Sequence, residues 1–215
     1  MTTDAKNIIN SIIENEIDNL MKANDFKRRG QSINYIRKTQ TATQKLEMIC
    51  FSHPSYHPGA IIHIYPWISI YFPEINHLAV EMVKDVRLLA GDVKSTIRQP
   101  IQIYVKSEPI WVIESKDDYE PVKQKIYQFL EEHTIPLLND LKNTSDFIEL
   151  FERKDKRIMA GDPQYIYLVC AYILQSDYSK AMKVLEQRFG KKGLRSQYSS
   201  AFLYLENVIK TCQSI

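Results

Sequence analysis

Three of the five histidines of the chain, His53, His57 and His63, lie close together, and Cys50 stands just before them. Zinc accepts cysteine and histidine ligands readily, so the spacing C-x2-H-x3-H-x5-H is a candidate metal site. However, His53 and His57 are each followed by proline, which pushes the preceding residue into an extended conformation. The sequence PSYHPG is also typical of a turn. The same stretch is therefore either a metal site or the turn of a β-hairpin.

Side-chain alternation along the flanking strands distinguishes between these two interpretations. Cys50 shares a strand face with Leu46 and Met48, whereas His63 shares a face of the next strand with Trp67. If Leu46 and Met48 face the core, Cys50 and His63 point to opposite faces of the sheet and cannot hold one ion. We therefore favour a solvated hairpin turn, and we expect no metal and no cofactor.

No other stretch carries a catalytic signature. The six glycines form neither GxGxxG nor GxxxxGK[ST], and the GxSxG and HExxH motifs are absent. His77 and His133 fall on predicted helices, and nothing pairs them with a nucleophile. We expect a non-catalytic protein. An enzyme is left open, because a single sequence can hide a site assembled from distant residues.

Composition and charge are those of a soluble globular protein. The chain has 215 residues, of which 44% are hydrophobic and 25% charged. Its formal net charge is only +2, so the overall charge does not favour binding to nucleic acid or to an anionic membrane. The three cysteines form no CxxC pair, and an odd number fits reduced thiols. The first residues lack the positive end and the apolar run of a secretory signal. We expect a cytoplasmic location and no membrane span.

Hydrophobic periodicity predicts an α+β fold in which an antiparallel sheet of about five strands is backed by helices. The amphipathic helices are predicted at residues 4–23, 73–90 and 118–135. The strands are predicted at residues 30–39, 45–52, 60–72, 101–105 and 109–114. Gly91 should end the second helix, Pro136 should kink or end the third, and Lys106-Ser107-Glu108 should join the last two strands.

A helical module of three helices is predicted to follow the sheet. We divide the chain into an α+β sheet domain, residues 1–144, and a C-terminal helical module, residues 145–215, which can pack together as one unit. The segment AYILQSDYSKAMKVLE, residues 171–186, is similar to the turn of a tetratricopeptide helical hairpin. A stable solenoid needs about three repeats, so we interpret the module as a helical cap that uses this geometry. Peptide binding in the tetratricopeptide manner is left open.

The run AIIHIYPWISIYF has two distinct faces when its side chains alternate. One face is aliphatic and is predicted to be core. The other carries aromatic rings with polar tips, a composition typical of recognition surfaces. Together with the strand predicted at 101–105, it supplies the candidate partner-binding residues His63, Tyr65, Trp67, Tyr71, Gln102 and Tyr104. The alternative is that the C-terminal helices cover this face, because large exposed aromatic patches are uncommon on monomers.

An aromatic sheet face also suggests base stacking with single-stranded nucleic acid. Phosphate contacts would then come from five basic residues, Lys27, Arg28, Arg29, Arg37 and Lys38. The RNA-recognition consensus is missing, since Arg29-Gly30 is not followed by an aromatic residue. A basic strand is also a common way to protect a sheet edge from aggregation. We therefore rank nucleic acid below a protein partner.

Three motifs accompany this order of elements: Phe26 followed by basic residues and glycine, Trp111 before the acidic helix start SKDDYEPV, and the passage from Pro136 to Asp146. Over about residues 8 to 152 the chain resembles an uncharacterised bacterial family, one of the domain-of-unknown-function groups. Such proteins are similar in architecture to small cytosolic immunity proteins that neutralise secreted bacterial toxins. The resemblance implies a binding role without assigning any site residue. We therefore expect a bacterial protein-binding module.

Overall fold

In the computed structural model, which describes residues 3–29, 33–89, 94–103 and 111–213, six strands form one antiparallel sheet. The strands are β1 (Lys27–Arg28), β2 (Asn34–Lys38), β3 (Thr43–Ser52), β4 (Ile62–Tyr71), β5 (Ile97–Pro100) and β6 (Trp111–Ile113). They follow the order β1-β2-β3-β4-β5, and β6 pairs with β4 beyond the end of β5. The prediction of an α+β fold built on an antiparallel sheet is confirmed.

The sheet edge near residue 100 differs from the prediction. The strand expected at 101–105 lies earlier, at Ile97–Pro100, and Ile101–Ile103 form a 3-10 turn. Proline has no N–H to donate to a strand ladder, so the strand ends at Pro100. Ile103, expected to point inward, is exposed. The predicted Lys106-Ser107-Glu108 turn lies outside the described residues.

The amino-terminal helix is broken where one continuous helix was predicted. It consists of α1 (Thr3–Ile13) and α2 (Glu16–Ala23). Between them Asn15 has a φ of 67° and a ψ of −87°, and the N–H of Glu16 donates to the carbonyl of Glu14 at 3.1 Å, a γ-turn that breaks the right-handed helix. The apolar stripe is nevertheless predicted correctly, since Ile9 and Ile17 are among its fully buried residues.

The helix after β4 is also shorter than predicted. Pro73 opens α3 (Pro73–Val83), and the helix ends because Lys84 adopts a left-handed conformation with a φ of 60°. A 3-10 segment, Val86–Leu89, follows. The stop was assigned to Gly91, the residue type that most often takes this conformation, but Gly91 lies outside the described residues.

Pro136 interrupts the next helix through a change of helical pitch. The chain runs as α4 (Tyr119–Phe129), a π-helical turn (Leu130–Thr134) and α5 (Ile135–Asn139). In this turn the N–H of Ile135 donates to the carbonyl of Leu130, five residues back. The wider turn accommodates the proline ring, which has no N–H and would clash inside a regular α-helix.

Five helices complete the chain. They are α6 (Thr144–Glu152), α7 (Asp162–Leu174), α8 (Tyr178–Phe189), α9 (Lys192–Gln197) and α10 (Ser199–Gln213). The last helix of the C-terminal module, for which the apolar pattern predicts a single helix over residues 194–212, is thus split at Tyr198. α7 packs against α3 and α8, and α10 against α3 and α8. Apolar residues of the sheet and of these helices belong to one buried cluster, whereas the proposed division at residue 144 stays a prediction.

The aliphatic face of β4 lies at the centre of this core, as predicted. Ile62, Ile64, Ile68 and Ile70 are almost completely buried. Neighbouring strands contribute from the same side, because Leu46 pairs with Ile68 in the β3–β4 register. Burial of side chains of this size typically contributes about 1.5 to 3 kcal/mol each.

A buried polar network fastens the sheet to the end of α5. The side-chain amide of Gln44, fully buried on β3, donates to the carbonyls of Leu138 at 2.7 Å and Leu141 at 2.8 Å. Its oxygen accepts from Nε of Arg37 at 2.7 Å, and Nη1 of Arg37 donates to Asn139 Oδ1 at 2.8 Å. Gln44 therefore fastens β3 to the chain at the end of α5, where the carbonyl of Leu138 also accepts from the N–H of Leu141 at 3.4 Å.

We predict that Gln44→Leu lowers the free energy of unfolding by about 2 to 4 kcal/mol, because an apolar side chain of similar size removes the buried side-chain donor to both carbonyls and the acceptor of Arg37 Nε. Urea unfolding measures this. Gln40→Leu, at an exposed position in the same hairpin, is the matched control and should stay within about 0.5 kcal/mol of wild type. Equal effects of the two substitutions would contradict the role of the network.

Candidate functional site

The sheet face opposite the core carries a run of aromatic side chains. In the β3–β4 register Phe51 lies opposite His63, and Tyr65 and Trp67 follow on the same face of β4. Tyr56 joins them from the loop between the two strands. We call Phe51, Tyr56, His63, Tyr65 and Trp67 the aromatic cluster.

The rings of the aromatic cluster are in contact with one another in series. His63 lies at its centre, with ring centroids 6.0 Å from Phe51, 5.5 Å from Tyr56 and 6.0 Å from Tyr65. Tyr65 continues the series to Trp67 at 6.1 Å. The interplanar angles range from 53° to 84°, so the rings meet edge to face or tilted. Such pairs favour a fixed arrangement of the rings.

Exposure is uneven across the aromatic cluster. Tyr56 is 64% exposed and Phe51 45%, whereas Tyr65 and Trp67 are half-buried. His63 is only 5% exposed, because the surrounding rings cover it. Large apolar rings that stay in water on a folded chain are typical of contact surfaces.

Charged residues border the aromatic cluster on one side. The guanidinium of Arg98, on β5, lies over the Trp67 ring with Cζ 4.9 Å from the ring centroid. Arg98 also contacts Glu47 at 3.4 Å, and Glu47 accepts a hydrogen bond from Lys45. A shallow cavity of about 320 Å³ lies between Arg98 and the rings. Its walls are apolar with one charged corner, an arrangement suited to receiving a side chain of another protein.

His63 is held neutral by its surroundings. Burial, and secondarily the nearby His57, lower the pKa of His63 below its ordinary value. Nδ1 of His63 is hydrogen-bonded to the Tyr56 hydroxyl, whereas Nε2 has no partner among the described residues. His57 itself contacts Glu114 at 2.9 Å. His63 thus lies beneath the other rings of the aromatic cluster and contacts three of them, and the more exposed rings form the outer surface of the cluster.

The other predicted contact residues lie apart from the aromatic cluster. Tyr71 is half-buried at the far end of β4, opposite Thr43. Gln102 belongs to the 3-10 turn after β5, with its side chain outside the described residues, and Tyr104 lies outside them altogether. Of the six predicted residues, His63, Tyr65 and Trp67 are brought together.

Sequence reasoning missed three residues of this surface. Phe51 follows from the alternation that places Leu46 and Met48 in the core, so the signal was present in β3. Arg98 precedes the predicted strand start, and Tyr56 reaches the face through a loop conformation that no strand pattern specifies.

The histidine stretch forms the hairpin connection between β3 and β4, as predicted. The N–H of His53 donates to the carbonyl of Ile61 at 3.0 Å, and His53 and His57 are exposed. Cys50 lies opposite Ile64, the neighbour of His63 in the strand, so the two candidate ligands occupy opposite sheet faces. Among the described residues, no group of three or more His, Cys, Asp or Glu side chains is placed to hold a metal.

The cysteines differ sharply in accessibility. Burial raises the pKa of the Cys50 thiol to about 12, and its sulfur donates to the carbonyl of Met48 at 3.3 Å. Burial likewise raises the pKa of Cys170, which is completely enclosed. Cys212, near the end of α10, is exposed. Neither the half-buried Cys50 nor the buried Cys170 has the lowered pKa of a reactive nucleophile.

Comparison of the chain with protein-family models, with curated proteins and with solved structures gives no match. Among the described helices, none has both the length and the apolar character that a membrane span needs.

We predict that one thiol per native molecule reacts rapidly with Ellman's reagent at pH 8, and that this thiol is Cys212. With a pKa of about 12, only about one Cys50 in ten thousand is a thiolate at that pH. Cys212→Ser should abolish the rapid phase, and three thiols should react in denaturant. A rapid phase that persists in Cys212→Ser would show that Cys50 or Cys170 is accessible and activated.

We also predict that His63 makes the fold less stable in acid. The unfolded state takes up a proton on this imidazole below about pH 6.5, whereas the folded state resists it because its pKa is lowered, so stability falls as pH drops through the unfolded value. His63→Gln should show a shallower fall of Tm between pH 7 and pH 5. The exposed His77→Gln controls for loss of an imidazole. Parallel slopes for wild type and His63→Gln would contradict the burial of His63.

Proposed function

We propose that this chain is a non-catalytic protein-binding module and that the aromatic cluster is its contact surface. The observation that supports this most is the exposure of Phe51 and Tyr56 above the half-buried Tyr65 and Trp67. Two fully formed strands hold Phe51, Tyr65 and Trp67 in place, and the hydrogen bond to His63 holds Tyr56, so little ordering entropy is lost when a partner binds. Tyrosine and tryptophan are the side chains that most often dominate binding energy at interfaces.

The packing of the C-terminal helices also supports a free sheet face. α7 and α10 pack against α3 on the core side of the sheet, and the hydroxyl of Ser200 donates to the carbonyl of Val83 at 2.8 Å. The apolar faces of these helices are thus buried against other helices. We therefore expect a partner protein to bury the rings of the aromatic cluster on the opposite face of the sheet.

Ring geometry favours a protein partner over single-stranded nucleic acid at this surface. Stacked bases need ring faces that are open to solvent, whereas Trp67 has Arg98 over its face and Tyr65 is tilted by 55° against it. Arg98 and Lys45 are also both paired with Glu47, which reduces the positive charge available to phosphates. The aromatic cluster suits an apolar side chain better than a phosphodiester strand.

The resemblance to the bacterial family suggests which class of protein the partner belongs to. Small cytosolic immunity proteins act by binding a toxin and covering the surface it needs, which requires a rigid contact face and no chemistry. We propose a cytoplasmic immunity protein of this kind. The partner would be a secreted bacterial toxin that engages the aromatic cluster.

We predict that Tyr65→Ala/Trp67→Ala abolishes retention of a stoichiometric protein partner in affinity capture from the native lysate. Phe51→Ser/Tyr56→Ser removes the two most exposed rings and leaves Tyr65 and Trp67 in the chain, and it should weaken binding at least about tenfold. The partner is identified by mass spectrometry, and its affinity is then measured with purified proteins by calorimetry.

The matched control is Leu203→Ala, which removes a 57% exposed apolar side chain from α10, away from the sheet. It should retain the partner at wild-type affinity. Loss of binding in Leu203→Ala with retention in both cluster variants would move the interface to the helical module. Nucleic acid in place of a protein, measured by the ratio of absorbance at 260 and 280 nm, would overturn the proposal.

A further inference from the structure

A second surface, distinct from the aromatic cluster, lies at the other end of the sheet. A groove of about 1260 Å³ runs between α2, the short strand β1, the strand β2 and the segment that joins α5 to α6. Seven lysines and arginines line it, against two aspartates, in a chain whose formal net charge is only +2. The groove therefore concentrates positive charge far above the average of the molecule.

Most of this charge is not neutralised by the residues that the structure describes. Arg28 pairs with Asp18 at 3.1 Å. Five other cations of the groove form no ion pair with any described residue and are exposed: Lys22, Lys27, Arg29, Lys38 and Lys142. They come from four separate parts of the chain. Like charges brought together repel one another, so the fold bears a cost that a bound anion would offset.

Arg37 adds a buried cation to the wall of the groove. It is 5% exposed, its guanidinium lies 4.4 Å above the Phe26 ring, and its hydrogen bonds go to neutral groups: Gln44, Asn139 and the carbonyl of Asn24. Nη2 has no partner among the described residues. Burial lowers the pKa of Arg37 below its ordinary value, with partial compensation from Asp25. An anion in the groove would stabilise this charge as well.

The lining also indicates what kind of anion fits. Phe26 and Tyr35 are almost completely buried, so neither offers a face on which a base could stack. Among the described lining residues no aromatic face is open to a base, so the features of the groove favour recognition of charge. Cations that come from several elements suit an extended anion with two or more phosphate groups, since one phosphate cannot reach them all.

We propose that the groove binds an oligophosphate chain, either free or as the polyphosphate arm of a nucleotide. This site is independent of the aromatic cluster and of the protein partner proposed there. The exposed lysines and Arg29 supply the charge contacts, and Arg37 supplies a fixed cation at the wall.

Isothermal titration calorimetry with sodium tripolyphosphate at pH 7.5 and constant ionic strength tests the proposal. We expect saturable binding by the full chain, weakened at least about tenfold in Lys38→Glu/Lys142→Glu. The matched control is Lys191→Glu/Lys192→Glu, which makes the same change in net charge at two exposed lysines outside the groove. It should change the affinity less than about twofold. Circular dichroism checks folding, and Lys22→Gln/Lys27→Gln replaces the first variant if that variant is unfolded.

Further titrations distinguish the sources of the phosphate chain. ATP that binds as tightly as tripolyphosphate, and competes with it, supports a nucleotide arm whose base is not read. Binding of tripolyphosphate alone supports a free chain. The proposal is overturned if tripolyphosphate binds no better than sulfate, or if both double variants weaken it equally. It is also overturned if a single-stranded oligonucleotide binds and tripolyphosphate does not displace it.

Discussion

The alternation of side chains along β4 is the constraint on which the rest of the structure depends. Ile62, Ile64, Ile68 and Ile70 must be buried together, and the helices on that side of the sheet provide the apolar cover. Because successive side chains of a strand point to opposite faces, the same burial places the aromatic residues between them on the outer side. The core and the candidate contact surface thus follow from one strand.

The buried pair of Arg37 and Gln44 contributes both to the packing of the sheet against the helices and to the basic groove. It joins β2 and β3 to the end of α5, so the sheet and the helices that cover it are fixed relative to one another. Arg37 also forms part of the wall of the basic groove. Buried cations with neutral partners are costly, which makes stability and charge recognition depend on the same side chain.

Much of the fold could be predicted from the sequence, because period-2 and period-3.6 patterns depend on the burial of one face. The two helix breaks could not be predicted in this way: Asn15 and Lys84 both have a positive φ, which hydrophobic periodicity does not specify. The candidate site was predicted where strand alternation determined it, at Tyr65 and Trp67. Tyr56 was missed because loop geometry, which has no period, brings it to the sheet.

A partner of this chain is expected to cover the aromatic cluster. Hydroxyl-radical footprinting of the chain, free and in its captured complex, tests this most directly, because aromatic side chains react readily and are read out one by one. We expect Phe51 and Tyr56 to be labelled in the free chain and protected in the complex, and Leu203 on α10 to be labelled equally in both. Protection of α10 with unchanged labelling of Phe51 and Tyr56 would contradict it.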